Sequence, residues 1–424
     1  MNRARVIAAA CAALAGCSPA SANDDATLRL WAMGREGEVV SELIPAFERD
    51  NPGIKVQVQQ IPWSAAHEKL LTAFVGNATP DIAMLGNTWV PEFEALDALE
   101  PLDQRVEAST DVVRSDYFAG IWNTNVVDGT TYGIPWYVDT RVIFYRTDLL
   151  AKAGYDKMPE TWEAWRTAMV RIKAGMSARQ YPLLIPITEW PPPVILGLQA
   201  GSTLLKENGT RGAFSDPEFR KGFDFYVSLF RDGLAPALSG SEISNLYQEF
   251  ERGNIAMYIS GPWQIGEFTN RLPPALQDKW MTAPLPGIDG PGASLAGGAS
   301  LALFKRSKNK DAAWKLMEYL SRPEIQLEFY NLTGDLPARR AAWMDPTLSG
   351  NRYAQAFRDQ LDRAMPTPQV PEWEQIATKV FEHGERAVRG RASAETTLAA
   401  LDRDVDRILE KRRWIIARLA EASQ

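Results

Sequence analysis

The chain has 424 residues, which is long enough for two or three domains that each bury their own core. Its 46 basic and 53 acidic side chains give a net charge of -7, which disfavours nucleic acid and anionic membrane surfaces as partners. Aromatic side chains are abundant, with 14 Trp, 12 Tyr and 16 Phe. A surplus of Trp indicates either large cores or flat surfaces on which a ligand can stack.

The first 23 residues are predicted to be a signal peptide that ends in a short tether. The apolar run at residues 6–14 follows two arginines and is too short to cross a bilayer. Leu14-Ala15-Gly16-Cys17 comes next and resembles the lipobox of bacterial lipoproteins, which predicts that Cys17 is lipidated. The alternative is ordinary cleavage nearby, for example after Ala20 or Ala22. Cleavage at Cys17 leaves no second cysteine, which excludes disulfides and Cys-based zinc sites.

The N-terminal part of the mature chain alternates strands with helices. Strands are predicted at residues 27–31, 54–58 and 81–85. The first helix between them is amphipathic, with an apolar face from Val40 to Phe47, and the second follows Pro62. This order is typical of a parallel sheet with helices on both faces, whose ligands lie beyond the carboxyl ends of the strands. Those ends lead into residues 34–36, 63–67 and 86–89.

Residues 131–150 are predicted to cross between two lobes and to line the cleft that they enclose. A Gly-x-Pro break at residues 133–135 precedes a run rich in β-branched and aromatic residues, which is typical of a strand. Between the two lie stacking and hydrogen-bonding side chains: Trp136, Tyr137, Asp139, Thr140 and Arg141. Farther on, the pattern predicts more helices and strands, a Gly/Pro-rich loop at residues 285–298, and a helical last hundred residues.

Short motifs follow one another over nearly the whole mature chain. They are FERDNPGIKV at residues 47–56, TPDIAM at 79–84, EPL at 100–102, YGIP at 132–135, FYRTDLL at 144–150, PETWE at 159–163, FERGNIAM at 250–257, GPW at 261–263, APLPG at 283–287 and AAWK at 312–315. In this order they are similar to the motifs of the extracellular solute-binding proteins of ABC importers. The similarity is to the carbohydrate-binding branch, which includes maltose- and trehalose/maltose-binding proteins.

The resemblance implies an α/β fold of the type II-like periplasmic-binding-protein kind, with a ligand cleft between two lobes that are each a central sheet flanked by helices. The lobes are then expected at residues 24–136 and 302–340 and at residues 140–299 and 343–424, with hinge crossovers near 135–141, 298–303 and 335–342. The implied protein is a non-catalytic receptor, expected to be a monomer, in the periplasm or another extracytoplasmic space. It clamps a small carbohydrate by hinge closure, delivers it to the transmembrane subunits of the importer, and touches the membrane only through its lipid anchor.

A sugar site combines carboxylates, arginine and amides with Trp or Tyr platforms. The resemblance implies that Asp139 occupies a position where the family commonly has a sugar-binding carboxylate. It also implies that Tyr137 occupies an aromatic position beside it. Some relatives carry Asp where this chain has Gly86, so Asn87 is expected to substitute. The predicted ligand-binding residues are Arg35, Glu36, Trp63, His67, Asn87, Trp89, Tyr137, Asp139, Arg141, Trp190, Trp263, Gly297, Gly298 and Trp373.

Structural roles are the alternative for several of these residues. They are a hinge salt bridge for Asp139 with Arg141, core packing for Trp263, a helix N-terminus for Arg35 and Glu36, a solvated helix position for His67, and a tight turn for Gly297 and Gly298. Gly86 and Ala299 have no polar side chains that could reach a ligand. This favours a small α-glucoside disaccharide such as maltose or trehalose.

A secreted glycoside hydrolase is the main opposing hypothesis, because a signal peptide, many Trp and several carboxylates also fit an enzyme. Hydrolysis needs two carboxyl groups about 5–9 Å apart, one of them with a raised pKa. We expect Arg141 to lower the pKa of Asp139, which favours a binder. The sequence contains no H-E-x-x-H, nucleophile-elbow, Walker or dinucleotide motif, and we expect no metal and no cofactor. A binder of peptides, polyamines or metal is a third possibility.

Overall fold

The computed structural model describes residues 26–243 and 245–422, so the signal peptide and Cys17 lie outside the described residues. The strands are β1 (Ala26–Met33), β2 (Ile54–Ile61), β3 (Ile82–Gly86), β4 (Val126–Val127), β5 (Thr130–Thr131), β6 (Ile134–Asp139), β7 (Val142–Arg146), β8 (Tyr181–Leu184), β9 (Leu205–Lys206), β10 (Arg211–Gly212), β11 (Ile255–Ser260), β12 (Trp280–Ala283), β13 (Ser294–Leu295), β14 (Gly297–Leu303), β15 (Leu336–Pro337) and β16 (Ala364–Met365).

Helices surround the strands, and short 3-10 turns lie among them, including one at Asn87–Trp89. The helices are α1 (Gly34–Val39), α2 (Ile44–Asp50), α3 (Trp63–Val75), α4 (Val90–Ala95), α5 (Asp103–Ala108), α6 (Ala119–Asn123), α7 (Thr147–Lys152), α8 (Trp162–Ala174), α9 (Pro191–Gln199), α10 (Pro217–Arg231), α11 (Leu246–Glu251), α12 (Trp263–Arg271), α13 (Lys310–Ser321), α14 (Pro323–Thr333), α15 (Pro346–Ser349), α16 (Gln355–Leu361), α17 (Trp373–Val388), α18 (Ala394–Ile408) and α19 (Glu410–Ala422).

The larger sheet has six strands in the order β15-β6-β14-β3-β1-β2. Strands β1, β2 and β3 are parallel, as the alternation of strands and helices predicted. The apolar run of β3 is fully buried, which is usual for a strand with helices on both faces. Strand β14 pairs antiparallel with β3 and β6, and β15 adds an antiparallel edge to β6. The carboxyl ends of β1 and β3 therefore lie at the same edge of the sheet.

The smaller sheet has four strands in the order β12-β7-β11-β8. Both faces of this sheet are covered, as the side chains of β7 show. Successive side chains of a strand point to opposite faces. Phe144 packs with Trp280 in one hydrophobic cluster, whereas Ile143 and Tyr145 pack in a second cluster that includes Trp165 of α8. Each sheet thus carries helices on both sides, and the fold is the predicted two-lobe α/β architecture.

Sheet membership changes at three places along the chain. Strand β6 of the larger sheet ends at Asp139, and β7 of the smaller sheet begins at Val142. The chain returns to the larger sheet between β12 and β14, and leaves it again after β15. The first two connections are bound together, since Arg141 N donates to Ser294 Oγ (3.1 Å), which donates to Arg141 O (3.0 Å). The residue boundaries of the two lobes stay a prediction.

Prolines lie in the first turns of helices α2 and α9. The predicted helix over residues 40–47 is divided, because Pro45 occupies the first turn of α2 after a separate α1 and a 3-10 turn. Three prolines at residues 191–193 form the first turn of α9. A helix leaves its first N–H groups without partners in any case, so proline is tolerated at these positions.

Candidate functional site

A cavity of about 660 Å³ lies between the two lobes, at the carboxyl ends of β1, β3 and β6. This volume is in the usual range of small-molecule sites. Most of the predicted ligand-binding residues line it: Arg35, Glu36, Trp63, Asn87, Trp89, Tyr137, Asp139, Arg141, Trp190, Trp263, Gly297 and Gly298. The other lining residues are not among the predicted ligand-binding residues: Gly86, Thr88, Thr140, Pro191, Pro262, Leu295, Ala296, Thr333, Asp335, Thr367 and Glu374.

His67 and Trp373 are not among the lining residues. The Nε2 atom of His67 is hydrogen-bonded to Glu92 Oε2 at 2.6 Å, and its ring lies 5.1 Å from that of Trp89. Trp373 is only 1% exposed, and its ring meets that of Trp190 almost at a right angle, 5.6 Å away. Both residues thus contact a tryptophan of the cavity wall from behind, and their direct contact with a ligand stays a prediction.

Two exposed tryptophans face the cavity from opposite lobes. Trp63 is the first residue of α3 and Trp263 the first of α12, and they are 38% and 40% exposed. Trp63 is held by Trp89, whose ring lies 5.7 Å away at an interplanar angle of 68°. An indole that only packs a core would not be exposed to this extent, because exposed apolar surface is unfavourable. A ligand ring stacked on the indole would cover that surface. The pair therefore offers one flat apolar surface on each lobe.

Asp139, Arg141 and Trp263 form a connected group beside the first connection between the sheets. Arg141 Nη1 donates to both carboxylate oxygens of Asp139 at 2.9 Å, and the guanidinium lies 4.7 Å from the ring centre of Trp263. Gly261 permits this approach, because a Cβ there would overlap the Trp263 ring. The salt bridge considered as a structural alternative for Asp139 is therefore present, and the same carboxyl group lines the cavity.

Glu36 and Tyr137 join the amino end of α1 to strand β6. The Tyr137 hydroxyl donates to Glu36 Oε1 at 2.8 Å, and both side chains are 8% exposed. Glu36 lies in the first turn of α1, where the helix dipole favours a negative charge. Arg35 points away into solvent and pairs with Glu38 at 3.3 Å, with 62% of its side chain exposed. Glu36 is thus a buried polar group of the cavity, and Arg35 is an exposed one at its rim.

Asp335 is a carboxyl group of the cavity that the sequence analysis did not assign to it. It lies between α14 and β15, and its residue is 9% exposed. Because Leu336 pairs with Val138 and Pro337 with Tyr137 in antiparallel register, Asp335 stands opposite Asp139. The sequence signal was a polar residue just after Gly334, the left-handed end of a helix. This local pattern did not indicate that β15 would pair with β6.

Three carboxyl groups of the cavity have a raised pKa. Burial raises the pKa of Asp139, and the opposing charge and hydrogen bond of Arg141 do not cancel it. The expectation that Arg141 lowers this pKa overall is therefore wrong, because desolvation is the larger effect. Burial also raises the pKa of Glu36, although hydrogen bonds to it act in the other direction. Burial raises the pKa of Asp335 to about 8, and the charges of Glu36 and Asp139 add to this shift.

Glycines bring strand β14 close to strand β6. Gly298 has a φ of 121°, and a Cβ there would overlap the carbonyl oxygen of Tyr137. Gly297 pairs with Asp139 and also lines the cavity. Ala299, in contrast, is 1% exposed and is not a lining residue, whereas Gly86 is one. Gly86 and Ala299 were both expected to leave the site without a polar side chain, and of these two only Gly86 lines the cavity.

The turn after β3 makes polar contacts with two other residues that line the cavity. Asn87 Nδ2 donates to Ala296 O at 2.7 Å, so this amide group binds the protein backbone. Thr88 Oγ1 donates to Glu374 Oε1 of α17 at 2.5 Å. The cavity therefore presents flat aromatic faces, carboxyl groups, hydroxyls and a guanidinium within one volume. This combination suits an uncharged polyhydroxylated ring, which has apolar faces and many hydrogen-bonding groups at its edges.

Comparisons with known proteins agree with this architecture. The family model described as bacterial extracellular solute-binding protein matches residues 33–327. The solved structure of the sugar-binding protein MalE from the phytopathogen Xanthomonas citri is 49% identical, has a TM-score of 0.90, and the match covers 92% of this chain and 99% of that one. The diacetylchitobiose binding protein DasA of Streptomyces coelicolor is 25% identical over 82% of this chain and 81% of its own.

A galactooligosaccharide-binding protein of Bacillus subtilis is 24% identical over 92% of this chain and 91% of its own. Within residues 26–243 and 245–422, no helix combines the length and the apolar character that a membrane span requires. The family model spans well over half of the chain, and its members are binding proteins rather than enzymes. The chain belongs to the bacterial extracellular solute-binding proteins.

Proposed function

We propose that this protein is the substrate-binding receptor of an ABC sugar importer. The observation that carries the proposal is the cavity between the lobes, where the exposed faces of Trp63 and Trp263 stand beside the carboxyl groups of Glu36, Asp139 and Asp335. The names of the similar proteins support it, since they refer to sugars and oligosaccharides of several kinds. The ligand is a small oligosaccharide, with an α-glucoside disaccharide such as maltose or trehalose as the first candidate.

Binding is proposed to act through hinge closure. Trp63 belongs to a helix beside the larger sheet and Trp263 to a helix beside the smaller one. A sugar stacked on both can make all its contacts only when the lobes are close, so it binds the closed form better and increases its population. The closed form then docks on the transmembrane subunits of the importer, and the sugar is released to them without chemical change.

The proposed location follows from the family and from the N-terminal segment. The signal peptide directs the chain to the periplasm or another extracytoplasmic space, and lipidated Cys17 attaches the monomer to a membrane surface. Residues 18–25 then act as the tether. Mass spectrometry of the protein purified from membranes tests this part, because a diacylated Cys17 adds the mass of its lipid chains to the mature N-terminus. An unmodified N-terminus after Ala20 or Ala22 would contradict it.

A thermal-shift screen of the mature protein against mono-, di- and trisaccharides tests the function. A ligand that binds only the folded state raises the melting temperature by mass action. We expect a rise for a few related sugars and none for amino acids, peptides or polyamines. A rise in melting temperature only with another class of compound would mean that the ligand belongs to that class. No rise with any sugar would contradict the proposal.

Glycoside hydrolysis is the second candidate function, because an acid catalyst needs a carboxyl group with a raised pKa and the cavity contains three. The family of binding proteins argues against it. Chromatography of the same sugar samples after prolonged incubation distinguishes the two functions. Intact sugar supports the receptor, whereas released monosaccharide would identify an enzyme.

A further inference from the structure

Asp335 lines the cavity because the edge strand β15 pairs with β6. It follows the glycine that ends α14 and precedes β15, and it stands opposite Asp139 in the antiparallel pair of β15 and β6. Side chains that face each other in such a pair are about 5 Å apart, and two like charges at this distance destabilise the pair. The two carboxyl groups therefore cannot both be ionised without a compensating charge.

The compensating charge is supplied to Asp139 alone. Arg141 Nη1 contacts both carboxylate oxygens of Asp139, whereas Asp335 has no ion pair within residues 26–243 and 245–422. The backbone N–H of Asp335 donates to Thr333 Oγ1 at 3.0 Å, and a hydrogen bond with the Thr333 side chain opposes the rise in the pKa of the Asp335 carboxyl group without cancelling it. Its carboxyl group is nine-tenths buried and borders the cavity. Burial without a cationic partner favours the protonated form of this carboxyl group.

We propose that Asp335 is a ligand-binding residue that acts in its carboxylic acid form and donates a hydrogen bond to an oxygen atom of the bound sugar. This assignment rests on the proposed function and extends it. A carboxylate can only accept hydrogen bonds, whereas the acid provides one O–H donor. Glu36 and Asp139 supply acceptors, and Asp335 adds an O–H donor for the ring and glycosidic oxygens of the sugar, which can only accept hydrogen bonds.

The groups around Asp335 decide how the site responds to pH. Glu36 faces it from α1, and Tyr137 and Asp139 face it from β6, while Arg141 is bound to Asp139. Arg35 and Glu374 lie farther along the same cavity wall. None of these side chains gives Asp335 a cationic partner. His67, behind Trp89, is a further titratable group near the cavity, and its hydrogen bond to Glu92 raises its pKa.

The pH dependence of binding follows from this arrangement. Burial raises the pKa of Asp335 to about 8, so at pH 7 most molecules carry the acid and at pH 9 most carry the carboxylate. Ionisation removes the donor and adds a negative charge beside Asp139. Since apparent affinity scales with the fraction in the competent form, affinity for a neutral sugar is expected to fall roughly tenfold between pH 7 and pH 9.

The test is calorimetric titration with maltose and with trehalose at pH 6, 7, 8 and 9, applied to wild type, Asp335→Asn and Asp335→Ala. The Asn side chain keeps an N–H donor and cannot ionise, so Asp335→Asn should bind within about twofold of wild type at pH 7 and stay constant to pH 9. Asp335→Ala should lose roughly tenfold at pH 7, the effect of one lost hydrogen bond in a buried site.

Each outcome bears on the assignment. A decline toward pH 9 that persists in Asp335→Asn would trace the effect to His67 or another group and would overturn it. Wild-type affinity that does not change from pH 7 to pH 9, or full affinity in Asp335→Ala, would overturn it as well. In these cases the receptor function stands, because sugar still binds. Failure of both sugars to bind wild type even at pH 6 would instead contradict the proposed disaccharide ligand, and with it this assignment.

Discussion

Thr88 and Glu374 are joined by a hydrogen bond across the mouth of the cavity, with Thr88 Oγ1 donating to Glu374 Oε1 at 2.5 Å. Thr88 lies in the turn after β3 of the larger sheet. Glu374 lies in the first turn of α17, which packs against α18 and α10 beside the smaller sheet. In the proposed hinge motion, opening of the cleft would break this bond, so the bond is expected to favour the closed form.

Replacement of Thr88 by valine is therefore expected to weaken sugar binding. The change removes the hydroxyl and keeps the shape, and the net loss of one hydrogen bond is about 1 kcal/mol, or roughly fivefold in affinity. Calorimetric titration measures the effect. Thr378→Val is the matched control, because the Thr378 hydroxyl donates to the backbone oxygen of Glu374 within the same helix. Equal affinity in both variants would show that the contact does not favour closure.

Asp139→Ala is expected to lower sugar affinity roughly tenfold or more and to leave the fold intact. The substitution removes an acceptor from the cavity and leaves the Arg141 guanidinium without its partner. Calorimetry gives the affinity, and far-UV circular dichroism checks the fold. Asp148→Ala is the control, since Asp148 pairs with Arg146 at the same spacing but outside this cavity. Asp148→Ala should reduce the stability of the fold without changing the sugar affinity. An unchanged sugar affinity of Asp139→Ala would contradict the assignment of Asp139 as a ligand-binding residue.

Trp263→Ala is expected to reduce affinity roughly tenfold, because the ligand loses an aromatic face and the guanidinium of Arg141 loses the ring on which it rests. Trp263→Phe should recover part of the loss. Trp414, 59% exposed on α19, provides the control, and Trp414→Ala should bind like wild type. Titration followed by tryptophan fluorescence is a second readout, since a sugar-induced signal that survives in Trp263→Ala must come from other indoles.

Local sequence patterns were sufficient for the elements that place the aromatic walls. Alternation in β2 and the spacing of apolar residues in α3 predicted the parallel part of the larger sheet, and the ends of its strands pointed to Trp63 and Trp89. The GPW motif also pointed to Trp263, which the structure places just after β11. These residues are positioned by neighbours close in sequence, so the pattern carried the necessary information.

Long-range pairing and burial were beyond the reach of the same reasoning. Asp335 enters the cavity because a two-residue strand pairs with β6 almost two hundred residues earlier in the chain. The pKa of Asp139 depends on the balance between its burial and its contact with Arg141, and only the structure gives the burial. Trp373 is in the core because of the way α17 packs, which its sequence position beside prolines did not indicate.

Gly298→Ala is expected to destabilise the protein by about 1–3 kcal/mol, since its φ of 121° is unfavourable for alanine and a methyl group would meet the Tyr137 carbonyl. Urea unfolding measures the change. Gly290→Ala, at a loop position with no atom within 4 Å of the added methyl group, should be close to wild type. If both variants unfold at the same urea concentration, β14 can move away from β6 without cost.

Asp335→Asn is expected to stabilise the ligand-free protein at alkaline pH. The folded-state pKa of Asp335 is about 8 and its ordinary value is 3.8, so ionisation opposes folding. This penalty begins as the pH rises above the ordinary value, grows until the folded-state value is passed, and is then constant. The variant cannot ionise, so its advantage in melting temperature over wild type should be small at pH 5 and reach a few degrees at pH 9. Asp289→Asn, on an exposed loop, should show no such trend. A difference between Asp335→Asn and wild type that is the same at every pH would mean that Asp335 does not titrate between these values.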